Sequence, residues 1–132
     1  MGYFIAYKHT GEDPKKLEAL LTPLRDTLVA HGEEMYCTFF DDDSFRAKVM
    51  GPAEIMHHAF RKIEALGTLL VVLDSPDRSE GMLMEVGYCI AKSIPIIVAR
   101  RTGVENTYVP DMAQSTFAYS SPQDLARKVG SL

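Results

Sequence analysis

The stretch "LLVVLDSPDRSEGMLMEVGYCIAKSIPIIVA", residues 69–99, decides the fold. Two apolar runs, 68–73 and 94–99, show no polar alternation, which is typical of central parallel strands covered on both faces. Between them lie a polar loop, Ser79 as a helix N-cap, and a helical run through Ala91. Because parallel strands are joined by helical crossovers, the stretch predicts a strand–helix–strand unit at the centre of a parallel sheet.

Further strands and helices alternate on both sides of this unit. Apolar or aromatic runs predict strands at 3–7, 35–40 and 115–119, and the remaining helices are predicted to begin at Pro14, Pro52 and Pro122. Pro23 interrupts the first helical pattern, so we expect a kink or a restarted helix there. The alternation predicts one α/β domain over residues 1–132. Its core would be a doubly wound, flavodoxin- or Rossmann-like sheet of five parallel strands with helices on both faces.

The composition favours a globular protein with a small-molecule ligand. The 132 residues are 46% hydrophobic and 24% charged, and the net charge of −4 argues against binding a nucleic acid polymer. Cys37 and Cys89 lie in apolar runs without metal-ligand spacing, so we expect buried thiols. Neither a secretory signal nor an apolar run of about 20 residues is recognised, so a cytoplasmic protein without membrane contact is expected.

Glu85 stands out in the central helix because its neighbours are small or apolar. Burying an unpaired carboxylate is costly, so such a group is usually neutralised, paired or used in chemistry. From the residues alone, Glu85 is either a solvated residue of an amphipathic helix or a functional group. Ligands of doubly wound sheets bind beyond the carboxyl ends of the strands. The helix of Glu85 begins at that edge, about one turn before the carboxylate.

The quoted stretch resembles the core signature of the nucleoside 2-deoxyribosyltransferases and the related deoxynucleoside 5'-monophosphate N-glycosidases. In that family a hydrophobic strand leads to a Ser-containing loop and then to a helix with Glu, a hydrophobic residue and Gly. Ser79, Gly81, Glu85 and Gly87 stand in that register. The following turn reads "AKSIPI" and lacks the family's glycine. The resemblance covers residues 3–119, since "YFIAY" is similar to the family's first strand.

The resemblance implies an enzyme that cleaves the N-glycosidic bond of 2'-deoxyribonucleosides or their 5'-monophosphates without a cofactor. Glu85 would attack the anomeric carbon and form a covalent deoxyribosyl intermediate, which another nucleobase or water then resolves. Tyr3 would orient the carboxylate. Met82, Met84 and Val86 would exclude water around it.

Four further residues are candidates for substrate binding. Ser79 and Gly81 begin the helix, where a phosphate or a sugar hydroxyl is favoured, although capping alone explains Ser79. Lys8 and His9 follow the first strand, where family members that act on monophosphates place polar or basic residues. A solvated turn explains Lys8 and His9 equally well.

No metal site is expected. The three adjacent carboxylates at residues 41–43 are typical of a solvated turn. His57 and His58 are successive residues of a predicted helix, and such a pair does not readily chelate one ion.

The chain departs from the family at one catalytic position. The family's aspartate that positions the sugar or protonates the leaving base falls at Ala59 in an ungapped count. Asp74, at the end of the third strand, is the predicted catalytic substitute, with His58 as an alternative donor. The family commonly completes each site with an Asn or Ser of a neighbouring subunit. Asn106 is the candidate, so a homodimer or larger assembly is implied.

Two other functions remain open from the sequence. "YFIAYKHTGED" followed by "FFDDD" also resembles the start of a Toll/interleukin receptor-like signalling domain. A nucleotide sensor that keeps the pocket without the chemistry would suit Ala59. The register of the Glu85 helix favours the deoxyribosyltransferases over the signalling domains.

Overall fold

A computed structural model describes residues 2–41, 49–105 and 108–132. The strands are β1 (Gly2–Ala6), β2 (Glu34–Tyr36), β3 (Leu69–Leu73), β4 (Ile96–Arg101) and β5 (Ser115–Tyr119). The helices are α1 (Pro14–Ala30), α2 (Pro52–Leu66), α3 (Glu80–Lys92) and α4 (Pro122–Gly130), and short 3₁₀ turns span Thr38–Phe40 and Pro110–Met112. In this described part of the chain, no helix has the length and apolar character needed to cross a membrane.

The five strands form one sheet in the order β2-β1-β3-β4-β5, and every neighbouring pair is parallel. The chain runs from β1 outward to β2 and then returns to β3 on the other side of β1. This reversal between β1 and β3 is where doubly wound sheets bind their ligands. The predicted five-stranded parallel α/β fold is confirmed.

The two faces of the sheet carry different helices, because successive side chains of a strand point to opposite sides. Tyr3 and Ile5 of β1 pack into a core with α1 and α4. Phe4 and Ala6 pack into a second core with α2 and α3. The face on which a side chain lies therefore decides which helices it can contact.

Local sequence signals fix the ends of three helices. The Asp13 side chain accepts a hydrogen bond from the Lys15 amide at 3.0 Å at the start of α1. Ser79 caps α3 and Ser121 caps α4 in the same way, each followed by an unpaired first turn that needs such an acceptor. The predicted Ser79 cap is confirmed, and α1 and α4 begin at Pro14 and Pro122 as predicted.

Two details differ from the prediction. The strand expected at 35–40 ends at Tyr36, because β2 is an edge strand that pairs only with Gly2–Phe4, and the chain then turns at Thr38. The helix α1 also continues through Pro23 without the expected restart. A proline inside a helix costs about 3 kcal/mol. Burial of Leu21 and Leu24, at about 1.5–3 kcal/mol each, offsets that cost.

Candidate active site

A cavity of about 360 Å³ lies at the reversal point of the sheet. One wall is the carboxyl end of β1 with the residues that follow it, and the others come from the start of α3 and the inner face of α2. The lining residues are Phe4, Ile5, Ala6, Tyr7, His9, Thr10, Thr38, Ile55, Met56, Ala59, Ser79, Gly81, Met82 and Glu85. The volume lies within the range of about 300–1,000 Å³ that is usual for small-molecule sites.

Glu85 is the carboxylate of this cavity. It lies on the inner face of α3 and is 9% exposed, next to buried Met82 and Val86. Within the described residues, no hydrogen-bond donor or ion-pair partner contacts the Glu85 carboxylate. The described residues contain no fully buried side-chain polar atom without a hydrogen-bond partner, so the Glu85 oxygens are not sealed off from the cavity. Its carboxylate therefore relies on the solvent or ligand that fills the cavity.

Burial raises the pKa of Glu85 to about 8. An ionised Glu85 is consequently high in free energy and gains strongly from positive charge placed beside it, because the low-dielectric surroundings screen that attraction little. Buried carboxyls with shifted pKa values are typical of functional sites. The solvated alternative for Glu85 is therefore wrong, and the residue is buried against the cavity.

The buried thiols feel the same carboxylate. Cys37 and Cys89 are buried free cysteines, as predicted. Burial, with a smaller contribution from the nearby Glu85 charge, raises the pKa of each thiol to about 12. Neither thiol is therefore ionised near neutral pH, and neither is poised as a nucleophile.

Ser79 and Gly81 lie in the cavity wall together with Glu85. The Ser79 hydroxyl accepts a hydrogen bond from the Met82 amide at 3.3 Å, which places the first turn of α3 against the cavity. His9 also lines the cavity, and its ring is edge-on to that of Tyr7. Three of the predicted substrate-binding residues are thus brought together with Glu85.

Tyr7, not Tyr3, is the tyrosine of the cavity. Tyr3 lies near the start of β1 in the same core as Tyr7, against α1 and α4, and does not line the cavity; burial and the Glu33 charge raise the pKa of its phenol. Tyr7 follows β1 at its carboxyl end, and its hydroxyl accepts a hydrogen bond from Thr38 Oγ1 at 3.2 Å. The sequence did contain a signal for Tyr7: it follows the carboxyl end of a predicted strand, and ligands of doubly wound sheets bind at the carboxyl ends of the strands.

Met84 also differs from the expectation. It lies on the outer side of α3 and is 50% exposed, so it does not belong to the wall around Glu85. Met82 and Val86 are buried as expected. Successive residues of a helix project in different directions, so Met84 falls outside the side of α3 that carries Met82, Glu85 and Val86.

Lys8 and Asp74 face a narrow crevice beside the cavity, separated from it by Tyr7 and Met82. Lys8 Nζ forms an ion pair with Glu12 at 3.2 Å. Asp74 accepts a hydrogen bond from the Tyr119 hydroxyl at 2.7 Å and lies 3.7 Å from an Arg101 nitrogen. Asp74 is not among the residues that line the cavity with Glu85, and its two contacts join the end of β3 to β4 and β5.

His58 is likewise absent from the cavity wall. Its Nε2 lies 3.2 Å from the Tyr36 hydroxyl, which donates a hydrogen bond to Asp41 at 2.7 Å. This hydrogen-bonded series of His58, Tyr36 and Asp41 joins α2 to the end of β2, and no local sequence pattern indicates it. Asn106 lies outside the described residues.

Ala59 does line the cavity, and it is 2% exposed. The position counted for the family's aspartate thus falls in the wall of the Glu85 site, where this chain presents a methyl group. Within residues 2–41, 49–105 and 108–132, no three His, Cys, Asp or Glu side chains converge as a metal site would require.

No family model matches the chain, and no curated protein matches its sequence. Solved structures do match. A conserved protein from Enterococcus faecalis V583 superposes with a TM-score of 0.66 and 11% identity, over 99% of both chains. The CMP N-glycosidase BcmB of Clostridium botulinum superposes with a TM-score of 0.65 and 18% identity, over 98% of this chain and 97% of that one.

At these identities the likeness shows the fold. The fold of the whole described chain is that of a structure named as a nucleotide N-glycosidase. The superposition therefore supports the predicted doubly wound α/β fold.

Proposed function

We propose that this protein cleaves the N-glycosidic bond of a nucleoside 5'-monophosphate or a nucleoside, with Glu85 as the nucleophile. The observation that carries the proposal is a buried carboxylate without a described partner, facing a ligand-sized cavity at the reversal point of the sheet. A structural neighbour that acts on CMP supports the same bond as the target.

The proposed reaction has two steps. An Oε of ionised Glu85 forms a bond to C1' of the sugar while the C1'–N bond breaks, and the bonding pair leaves with the base, which takes up a proton. Water or a second base then attacks C1' and releases Glu85. Both transition states carry positive charge on the sugar, and the buried carboxylate stabilises that charge better than water does.

The cavity wall divides into parts that suit the parts of a nucleotide. Ile55, Met56 and Ala59 of α2 form an apolar surface against which a flat base can pack. Ser79 at the start of α3 and His9 after β1 are polar, and the positive end of the α3 dipole favours a phosphate there. Both ribose and 2'-deoxyribose substrates belong in the test, because CMP carries ribose.

The proposal changes two roles that the sequence suggested. Tyr7 takes the orienting role predicted for Tyr3, since Tyr7 and Glu85 line the same cavity. Asp74 and His58 are held in contacts elsewhere, so neither is assigned to protonate the base.

The test is the release of free base, followed by chromatography, from ribonucleosides, 2'-deoxyribonucleosides and the 5'-monophosphates of both. Each is assayed with and without a second base. Glu85→Ala is expected to lower release by a factor of about 10³ or more, as loss of a nucleophile does. The matched control is Glu18→Ala, which removes an exposed carboxylate of α1 and should leave the rate unchanged.

The dependence on phosphate and on a second base separates a nucleotide hydrolase from a transferase. Release that persists in the Glu85→Ala protein would refute the proposal. Tight binding of a nucleotide without release of the base would instead favour the nucleotide sensor. Ala59 suits that alternative, because it places a methyl group in the cavity wall at the position counted for the family's aspartate.

A further inference from the structure

The wall of the cavity is negative when Glu85 ionises. Glu85 is the only carboxyl group among the described residues that line the cavity, and none of those residues is a lysine or an arginine. Lys8 faces the neighbouring crevice, where it forms an ion pair with Glu12 at 3.2 Å. A ligand that carries a positive charge is therefore the electrostatic complement of the described wall.

The α2 side of the cavity is apolar. It consists of Ile55, Met56 and Ala59, and the methyl group of Ala59 stands at the position counted for the family's aspartate. Asp74 and His58, the two substitutes that the sequence suggested, are not among the lining residues. A base that packs against these described residues of α2 meets no acid there that could protonate it.

The polar groups of the cavity belong to its other walls. His9 follows β1 and titrates near neutral pH, but the proposed function assigns it, with Ser79, to the phosphate. Tyr7 adds an aromatic ring to the lining, and aromatic rings attract cations through their faces. This distribution suits a base that is positively charged and leaves without taking up a proton.

A nucleobase leaves the sugar easily only when it departs as a neutral molecule. A neutral base departs as an anion unless an acid protonates it, and loss of a general acid typically slows such a step by about 10²–10⁴. A base that is attached through a positively charged ring becomes neutral as the bond breaks. It needs no acid, so the Ala59 methyl costs it nothing.

We propose that the preferred substrate is a nucleoside, or its 5'-monophosphate, whose base is a cation while attached to the sugar, such as a pyridinium or an N7-alkylated purine. The inference rests on the proposed function and names the substrate class of the same site. An Oε of ionised Glu85 bonds to C1' while the C1'–N bond breaks, and the bonding pair neutralises the ring. Water then attacks C1', loses a proton to the solvent and releases Glu85.

A cationic base also prepares the nucleophile. Burial raises the pKa of Glu85 to about 8, so the carboxyl is mostly protonated at pH 7. A positive charge beside it favours the ionised form, because charges attract strongly in poorly solvated surroundings. A cationic substrate thus ionises Glu85 as it binds, whereas a neutral substrate leaves most of the carboxyl protonated.

The first test measures binding without reaction, by isothermal titration calorimetry at pH 8. Nicotinamide and 1-methylnicotinamide differ by one methyl group and a positive charge, and neither has a glycosidic bond. The native chain is expected to bind the cation at least about tenfold more tightly, and Glu85→Gln to lose that preference. Glu18→Gln, on the exposed side of α1, should keep it. Equal binding of the two, or binding of neither up to about 10 mM, would overturn the inference.

The second test compares base release from guanosine and 7-methylguanosine, which differ by the same methyl group and charge, and from their 5'-monophosphates. Nicotinamide riboside and its 5'-monophosphate separate the pyridinium from the alkylated purine. The native kcat/KM should favour 7-methylguanosine over guanosine by at least about a hundredfold.

The Ala59→Asp variant separates the effect of the wall from the greater lability of cationic nucleosides in water. It restores an acid beside the base, so the preference for 7-methylguanosine should fall at least about tenfold, while Ala59→Asn should keep it. Circular dichroism confirms that each variant is folded. If Ala59→Asp does not fold, the native preference and the binding comparison decide the question.

The outcomes distinguish this inference from the proposed function. Equal release from guanosine and 7-methylguanosine, or an unchanged preference in folded Ala59→Asp, would overturn the inference and leave the proposed function standing. Release from none of the nucleosides would refute the proposed function. The comparison of nicotinamide with 1-methylnicotinamide would still show whether the cavity selects a cation.

Discussion

Replacing Glu85 by glutamine changes how the stability of the protein depends on pH. Burial raises the pKa of Glu85 from 4.5 in the unfolded chain to about 8 in the folded one. Between those values the folded chain holds a proton that the unfolded chain has lost. The native protein therefore becomes less stable as pH rises from about 4.5 to 8, because the carboxyl must ionise in a poorly solvated place.

The magnitude follows from the size of the shift. Each unit corresponds to about 1.36 kcal/mol, so the free energy of unfolding should fall by about 3 kcal/mol by pH 7 and by about 5 kcal/mol above pH 8. The glutamine side chain of the variant stays neutral throughout. It carries only a constant cost for burying an amide, and so Glu85→Gln should gain stability over the native chain as pH rises.

The measurement is urea unfolding of both proteins, followed by far-ultraviolet circular dichroism at intervals from pH 4 to 9 and at one protein concentration. The difference in free energy of unfolding should be flat below pH 4.5 and should level off again above pH 8. Glu18→Gln on the exposed side of α1 provides the control for loss of a carboxylate as such. Parallel curves for native and Glu85→Gln proteins, within about 1 kcal/mol, would show that Glu85 is solvated or paired and would refute the reasoning.

Two further predictions concern the rate and the sheet. If ionised Glu85 is the nucleophile, kcat/KM for base release should rise about tenfold per pH unit below pH 8 and then level off, and a rate that is flat from pH 5 to 8 would contradict it. Tyr119→Phe removes the hydroxyl that donates to Asp74, so the free energy of unfolding should fall by about 1–2 kcal/mol in the same urea assay while kcat stays within about twofold. A large fall in kcat with an unchanged free energy of unfolding would indicate that Asp74 takes part in the reaction.

The parts of the site that could be predicted lie in one contiguous stretch. Ser79, Gly81 and Glu85 were found because helical spacing and a cap fix their relative positions within seven residues. The apolar runs on either side fixed the two central strands for the same reason, since unbroken hydrophobicity is what a strand buried on both faces requires.

The parts that could not be predicted depend on residues far apart in the chain. Tyr3 and Tyr7 are the first and last residues of one five-residue run and pack into the same core, and only the position of Tyr7 beyond the carboxyl end of β1 brings it to the cavity. Asp74 looked available at a strand end, but the Tyr119 hydroxyl, 45 residues later, binds it. Such contacts arise from the pairing of strands and leave no periodic trace in the sequence.

The sequence by itself determined the class of fold and the helix that carries Glu85, because the local spacing of apolar residues indicates which segments are buried strands and which are helices. Only the tertiary structure decided the setting of that carboxylate. Parallel pairing of β1 with β3 opens the cavity, and the packing of α2 and α3 removes water from Glu85 and raises its pKa. The same packing turns Leu83, Met84 and Ile90 outward. The pKa of a buried carboxylate is set by solvent exclusion, which depends on every element around it and not only on its neighbours in the chain.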